Sequence, residues 1–313
     1  MKNFTSVHDV KHPQSLVKQT LEIKTNGQQS DVGRNKTLAL IFFNPSLRTR
    51  LSTQKAATNL GMNVIVMNIS KDGWNIEFED GAVMDGATQE HIKDAVKVIS
   101  GYCDLMGVRT FANLEDPQED YREKVLQKFL KHATVPVISL ESATLHPLQS
   151  LTDLATIAET NIPSPKVVLS WAPHPKALPQ AVANSFLQWI AKTDADITLT
   201  HPEGYELCEA FTGGATITND QEEALANADF VYTKSWSSYA NYGQTPVVGD
   251  DWTISKQKMD LTNDGKFMHC LPSFHNRNTV DGKEFYRRFR LTEVEVTDGA
   301  GQSSTSSVLH RAA

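Results

Sequence analysis

Along the first half of the chain, short runs of Val, Ile, Leu and Phe alternate with stretches in which apolar residues recur at helical spacing. Continuous apolar runs mark strands buried on both faces, and the amphipathic stretches between them mark the covering helices, so the pattern predicts parallel sheets. Strands are expected at Thr37–Phe43, Met62–Ile69, Asp104–Val108 and Val135–Ser139, with helices over Arg48–Leu60, Thr88–Gly101 and Glu119–His132. The second half repeats the rhythm, with strands at Lys166–Trp171, Asp196–Thr200, Phe230–Thr233 and Phe267–Cys270 and a helix over Leu178–Lys192. Between the two sets lies His146–Ile157, apolar at helical spacing, which reads as a linking helix. The fold class is therefore α/β: two doubly wound parallel-sheet domains, residues 1–145 and 146–298. Residues 299–313 begin as a run of Gly, Ser, Ala and Thr broken only by Gln302 and read as a flexible tail.

A length of 313 residues suits two domains, and 40% hydrophobic with 21% charged residues is a globular rather than a disordered composition. The net charge of -7 gives no global attraction for nucleic acid or an anionic membrane, so an anion site has to be built locally. Met1–His12 mixes Lys, His and Asp, and no apolar run approaches the length of a membrane span, so a cytoplasmic protein is expected. Cys103, Cys208 and Cys270 show no CxxC or Cys/His spacing. They read as free thiols, with no metal and no cofactor. No GxGxxG or GxxxxGK[ST] follows a strand, which argues against NAD-dependent and P-loop chemistry.

Ligands of open α/β sheets gather beyond the carboxyl ends of the strands. There the chain reads Ser46-Leu47-Arg48-Thr49-Arg50, opening a helix after an apolar strand. Two hydroxyls, two guanidinium groups and the unpaired N–H groups of a helix start suit a phosphate. The same residues fit a plain N-cap at Ser46 with two solvated arginines, and spacing alone leaves both readings open.

Ser46-Leu47-Arg48-Thr49-Arg50 resembles the Ser-Thr-Arg-Thr-Arg phosphate loop of the aspartate and ornithine transcarbamylase superfamily, departing only at Leu47. Gly107-Val108-Arg109, His146-Pro147-Leu148-Gln149 with Asp153-Leu154, and His269-Cys270-Leu271-Pro272 follow in that family's order. The resemblance covers about residues 1–297. It implies that Ser46, Leu47, Arg48, Thr49, Arg50, Arg109, His146, Gln149, Cys270 and Leu271 bind carbamoyl phosphate, with Arg109, His146 and Cys270 the catalytic set.

Asn59–Val66, Trp171–Pro175, His201–Leu207 and Tyr232–Trp236 look like the N-acylornithine branch, above all its N-succinylornithine enzymes. The partners implied are carbamoyl phosphate and an N-acylornithine, bound by a homotrimer with active sites at subunit interfaces. Glu141 and Lys234 would hold the amino-acid part of the acceptor. Trp74 would touch the acyl group from a neighbouring subunit, and the proline-rich loop after Trp171 would thread a knot. Gln89 stands where the acetyl branch has glutamate and the succinyl branch proline, so N-acetylornithine stays open as the acceptor beside N-succinylornithine. Ser273-Phe274-His275-Asn276 is closer to ordinary ornithine enzymes, and the unusual C-terminus leaves a non-catalytic carbamoyl-phosphate-binding relative as a further alternative.

Overall fold

The computed structural model describes residues 2–27, 30–174, 176–245, 252–270 and the backbone of 308–310. The chain divides into two compact units, Met1–Asn113 with Gln118–Leu148, and Leu114–Pro117 with Gln149–Ala313.

The first unit begins α1 (Pro13–Asn26), β1 (Thr37–Phe42), α2 (Arg48–Asn59), β2 (Asn63–Asn68) and α3 (Ile69–Asp72). It continues through the two-residue strands β3 (Ile76–Glu77) and β4 (Glu90–His91), then α4 (Ile92–Ser100), β5 (Leu105–Arg109) and α5 (Pro117–Tyr121). It closes with α6 (Lys124–His132) and β6 (Val137–Glu141), and the chain leaves it through α7 (Pro147–Ala158). The parallel sheet runs β2-β1-β5-β6.

Alternation along β1 shows why both faces are covered. Ala39 and Ile41 pack with Ile92, Val96, Leu126 and Phe129 of α4 and α6, while Leu38, Leu40 and Phe42 pack with Ala57 of α2 and Leu148 of α7. Gly107 sits on the central strand because a Cβ there would come within 2.9 Å of Leu40 Cδ2 and 3.3 Å of Leu140.

The second unit holds β7 (Lys166–Trp171), α8 (Ala181–Ile190), β8 (Asp196–Thr200), α9 (Glu209–Thr212), β9 (Thr216–Thr218) and α10 (Gln221–Leu225). Then come β10 (Phe230–Lys234), α11 (Lys256–Met259), β11 (Lys266–His269) and β12 (Val308–His310). The sheet order is β12-β11-β10-β7-β8-β9, parallel except for β12, which pairs antiparallel with β11. Three residues of the stretch expected to be a tail are thus an edge strand, and the rest of it lies outside the described residues. α8 is buried almost throughout, from Ala181 to Ile190, and Val168, Val231, Leu225 and Met259 form a second core.

The expected strands are present with ends shifted by one or two residues. One expected helix is not continuous: Glu119–His132 is broken between α5 and α6, where Glu123 takes left-handed dihedrals (φ 50°, ψ 38°). No helix among the described residues is long and apolar enough to cross a membrane.

Candidate active site

The carboxyl ends of β1, β5 and β6 bring together residues far apart in sequence. Leu47 is the N-cap of α2 and its side chain makes no capping bond. Ser46 is therefore not the cap, and the first backbone N–H groups of the helix keep their hydrogen-bonding capacity for an anion. Among the described residues nothing accepts a side-chain hydrogen bond from Ser46, Arg48, Thr49 or Arg50, all four of them half-buried.

Arg109 ends β5, and its guanidinium is gripped on two sides. Nη1 donates to the carbonyl of Pro45 at 2.6 Å, Nη2 donates to Glu141 Oε2 at 2.8 Å, and Cζ lies 4.3 Å from the centre of the Phe111 ring. Both charged side chains are about nine-tenths buried, at 10% and 11% exposure, so the pair is shielded from solvent screening. The pairing depends on a register slip: Val108 faces Ser139 but Arg109 faces Glu141, leaving Leu140 as the extra residue. A bulge of this kind re-aims a side chain at the end of a strand. Arg109 Nε and Asn44 Oδ1 are buried without a partner among the described residues, two polar atoms still available to a ligand.

His146, just before α7, places Nε2 3.6 Å from Glu141 Oε2. Burial pushes its pKa below the usual histidine value, Glu141 pulls it back up and Arg109 pushes it down again. The imidazole is accordingly neutral at pH 7. Glu141, expected to hold the amino-acid part of a substrate, thus directs Oε2 at Arg109 and His146.

Trp74 is 59% exposed, and its Nε1 donates to Glu90 Oε2 at 2.9 Å. Gln89 lies on the same loop, its Oε1 accepting from Asn75 N at 3.1 Å while its own N–H donates to Asn75 O at 3.0 Å. The loop is tied to α6 through ion pairs of Lys124 with Glu79 and Lys128 with Asp80, the latter holding the Asp80 carboxyl below its ordinary range.

In the second unit Gln149 is buried and donates through Nε2 to Asp153 Oδ1 at 2.8 Å. Burial pushes the Asp153 carboxyl up to about 7, against hydrogen bonds from Gln149 and Tyr232 that pull it down. Lys234 ends β10, buried, with Nζ donating to Ser235 O at 2.8 Å. An ammonium has three protons, so donors remain for a carboxylate. Cys270, a free thiol, follows β11, and its carbonyl meets His269 Nδ1. Leu271 lies outside the described residues.

Sequence reasoning passed over Glu123, Phe111 and the Pro45 carbonyl. Glu123 looks like one more charged position on an amphipathic helix, and nothing in a sequence marks a carbonyl as a guanidinium acceptor.

Within the first unit, Arg109 at the end of β5 and Arg48 and Arg50 at the start of α2 are the kind of basic residues, at a strand end and a helix start, that suit a small anion. The chain belongs to the aspartate/ornithine carbamoyltransferase family: residues 2–159 match that family's carbamoyl-P binding domain and residues 179–313 its Asp/Orn binding domain. It is a carbamoyltransferase. An N-succinylornithine carbamoyltransferase of Bacteroides thetaiotaomicron is 50% identical over 285 residues, 90% of each chain. An N-acetylornithine carbamoyltransferase of Xanthomonas campestris pv. campestris is 36% identical over 305 residues, 90% of this chain and 89% of that one. Among solved structures, acetylornithine transcarbamylase complexed with acetylcitrulline matches with a TM-score of 0.81 at 36% identity, covering 87% of this chain and 88% of the other.

Proposed function

We propose that the protein transfers the carbamoyl group of carbamoyl phosphate to the side-chain amine of N-succinylornithine, giving N-succinylcitrulline and phosphate in arginine biosynthesis. The observation that carries the choice of acceptor is the identity gap: 50% to a relative named for the succinyl substrate against 36% to one named for the acetyl substrate, at equal coverage of this chain. Gln89 agrees with it, because an uncharged side chain in place of the acetyl branch's glutamate removes a negative charge that would repel a succinyl carboxylate. An N-acetyl-L-ornithine transcarbamylase with one glutamate replaced by serine is solved with carbamyl phosphate and N-succinyl-L-norvaline.

In this reading Ser46, Arg48, Thr49, Arg50 and the start of α2 hold the phosphate. Arg109 and His146 take the carbamoyl oxygen, and the neutral amine attacks the carbamoyl carbon. The Arg109–Glu141 pair is fixed before substrate arrives, so little reorganisation accompanies the growth of negative charge on that oxygen. The departing phosphate already faces arginines and can take the proton released by the amine. Lys234 pairs with the acceptor's α-carboxylate, Gln149 and Cys270 belong to the carbamoyl end, and Glu141 offers Oε1 to the acceptor.

The same reading extends to a cytoplasmic homotrimer in which Trp74 and Gln89 meet the acyl group bound by a neighbouring subunit. What supports it is a large aromatic left exposed on a loop that two ion pairs and the Trp74–Glu90 bond hold in place. A threaded loop after β7 is part of the proposal as well, supported by the stitching of that loop to the one after β10. Ser237 N donates to Leu178 O at 2.8 Å, and Gln180 Nε2 donates to Ser237 O at 2.7 Å.

The test is ureido-product formation from carbamoyl phosphate with N-succinylornithine, N-acetylornithine and ornithine in separate reactions. Turnover is expected with N-succinylornithine. Turnover confined to either of the others would overturn the assignment.

A further inference from the structure

Glu123 sits between α5 and α6 in the left-handed region that side chains other than glycine seldom occupy. As the N-cap of α6 it makes no side-chain capping bond. Its carboxylate turns instead to Ser142–Leu145, the four residues separating Glu141 from His146. Oε1 accepts from Ser142 Oγ at 2.5 Å, from Thr144 Oγ1 at 2.5 Å and from Thr144 N at 2.7 Å, and Oε2 accepts from Ala143 N at 3.2 Å. The Ser142 hydroxyl then accepts from Leu145 N at 3.1 Å, and Ser142 N donates to Leu145 O at 2.8 Å. One carboxylate therefore orders three consecutive residues and, through Ser142, the residue that precedes His146.

We propose that Glu123 is a positioning residue for carbamoyl transfer: its carboxylate fixes the Ser142–Leu145 turn and so sets where His146 stands relative to Glu141 and Arg109. Four donors converging on one carboxylate require an acceptor-only group with two oxygens. The chain holds an unfavourable backbone conformation at this position to keep it there. Burial raises the Glu123 pKa while the hydrogen bonds from Ser142, Thr144 and Ala143 hold it down. The same short segment carries Lys124, whose ion pair with Glu79 anchors the loop bearing Trp74, but the assignment stands on the Ser142–Leu145 contacts alone.

This role rests on the carbamoyltransferase reading above, and its test has one arm that needs no turnover. Glu123→Gln preserves shape, keeps an oxygen for Ser142 and Thr144, and turns an NH2 group toward Ala143 N–H. Glu123→Ala removes every contact. Kcat is expected to fall about tenfold in Glu123→Gln and about a hundredfold in Glu123→Ala, the scale of a small misplacement of a reacting group. KM for carbamoyl phosphate should change less than about threefold, because none of Ser46 to Arg50 touches Glu123. In a His146→Ala background, Glu123→Ala should add no further loss, the non-additivity of residues acting as one unit.

In parallel, the His146 ring resonance should move in the NMR spectrum of Glu123→Gln while that of His91 does not. A wild-type kcat in Glu123→Gln, an unmoved His146 resonance, or losses that multiply with His146→Ala would each overturn the role. Should Glu123→Ala fail to fold, Glu123→Gln decides alone. A wild-type protein without turnover on any acceptor would sink the functional reading, and the His146 resonance would then decide the positioning role.

Discussion

Arg109 and Glu141 stand opposite one another at the ends of neighbouring strands, 2.8 Å apart, only because the ladder slips by one residue after Val108. In ordinary register Arg109 would face Leu140, which instead packs into the core shared with Leu40 and Phe42. The slip thus separates an apolar residue that belongs to the core from a carboxylate that belongs to the site.

Removing one partner of this pair leaves a buried charge uncompensated. Glu141→Ala is expected to lower stability by about 3–5 kcal/mol and to abolish turnover. Arg109→Met/Glu141→Leu should recover most of that stability and stay inactive, which a urea titration beside an activity assay will show.

Arg50 sits at the start of α2 with no described acceptor for its guanidinium. Arg50→Ala should leave the melting temperature within a few degrees of wild type. It should also reduce kcat/KM for carbamoyl phosphate on the order of 10²–10³-fold, the loss typical of a charge-stabilising donor. Steady-state kinetics with carbamoyl phosphate as the varied substrate checks this.

In the proposed mechanism the imidazole of His146 is expected to set the acid limb of the pH profile. Burial disfavours its charged form, so kcat/KM should hold level through neutrality and fall only below the ordinary histidine value of 6.5. Stability follows the same sign. The group's contribution is complete above pH 6.5 and is lost as pH falls, because the unfolded chain then binds a proton that the folded one refuses. His146→Asn should flatten that part of both curves.

Asp153 acts in the opposite direction. With its carboxyl raised from 3.8 to about 7, the folded chain keeps a proton that the unfolded chain gives up across that window. Its effect therefore makes stability fall as pH rises from 3.8 to about 7, by up to roughly 1.4 kcal/mol per pH unit. Asp153→Asn should remove this slope, which urea midpoints at several pH values will show. It should also disturb Gln149, whose amide it receives at 2.8 Å.

Trp74→Ala is expected to raise KM for the acylated acceptor about tenfold or more, while KM for carbamoyl phosphate and the melting temperature stay near wild type. The side chain is mostly exposed, so little packing is lost on truncation.

The strands were legible because β1, β5, β7 and β10 each hold a short apolar run without polar alternation and are buried along nearly their whole length, the signature of a sheet covered on both faces. The two-residue strands β3 and β4 were not, since Ile76–Glu77 and Glu90–His91 carry no period and owe their pairing to the loop between them. The helix start expected at Arg48 is where α2 begins, and of the two readings left open there the plain cap at Ser46 is not formed, because Leu47 takes the cap position.

Motif residues such as Arg109 and His146 could be named from sequence. Their mutual geometry could not, because it is set by a slip between strands some thirty positions apart in the chain. Glu123 escaped for a related reason. The helical period runs through Glu119–His132 without a break, and only the tertiary demand of the Ser142–Leu145 turn interrupts it.

The most direct test of the central claim is a competition. Purified protein is given limiting carbamoyl phosphate with equimolar N-succinylornithine and N-acetylornithine, and the two carbamoylated products are quantified by mass spectrometry. Their ratio equals the ratio of kcat/KM values. N-succinylcitrulline in excess by tenfold or more is expected. A preponderance of N-acetylcitrulline, or no product from a folded protein that still binds carbamoyl phosphate, would contradict the account.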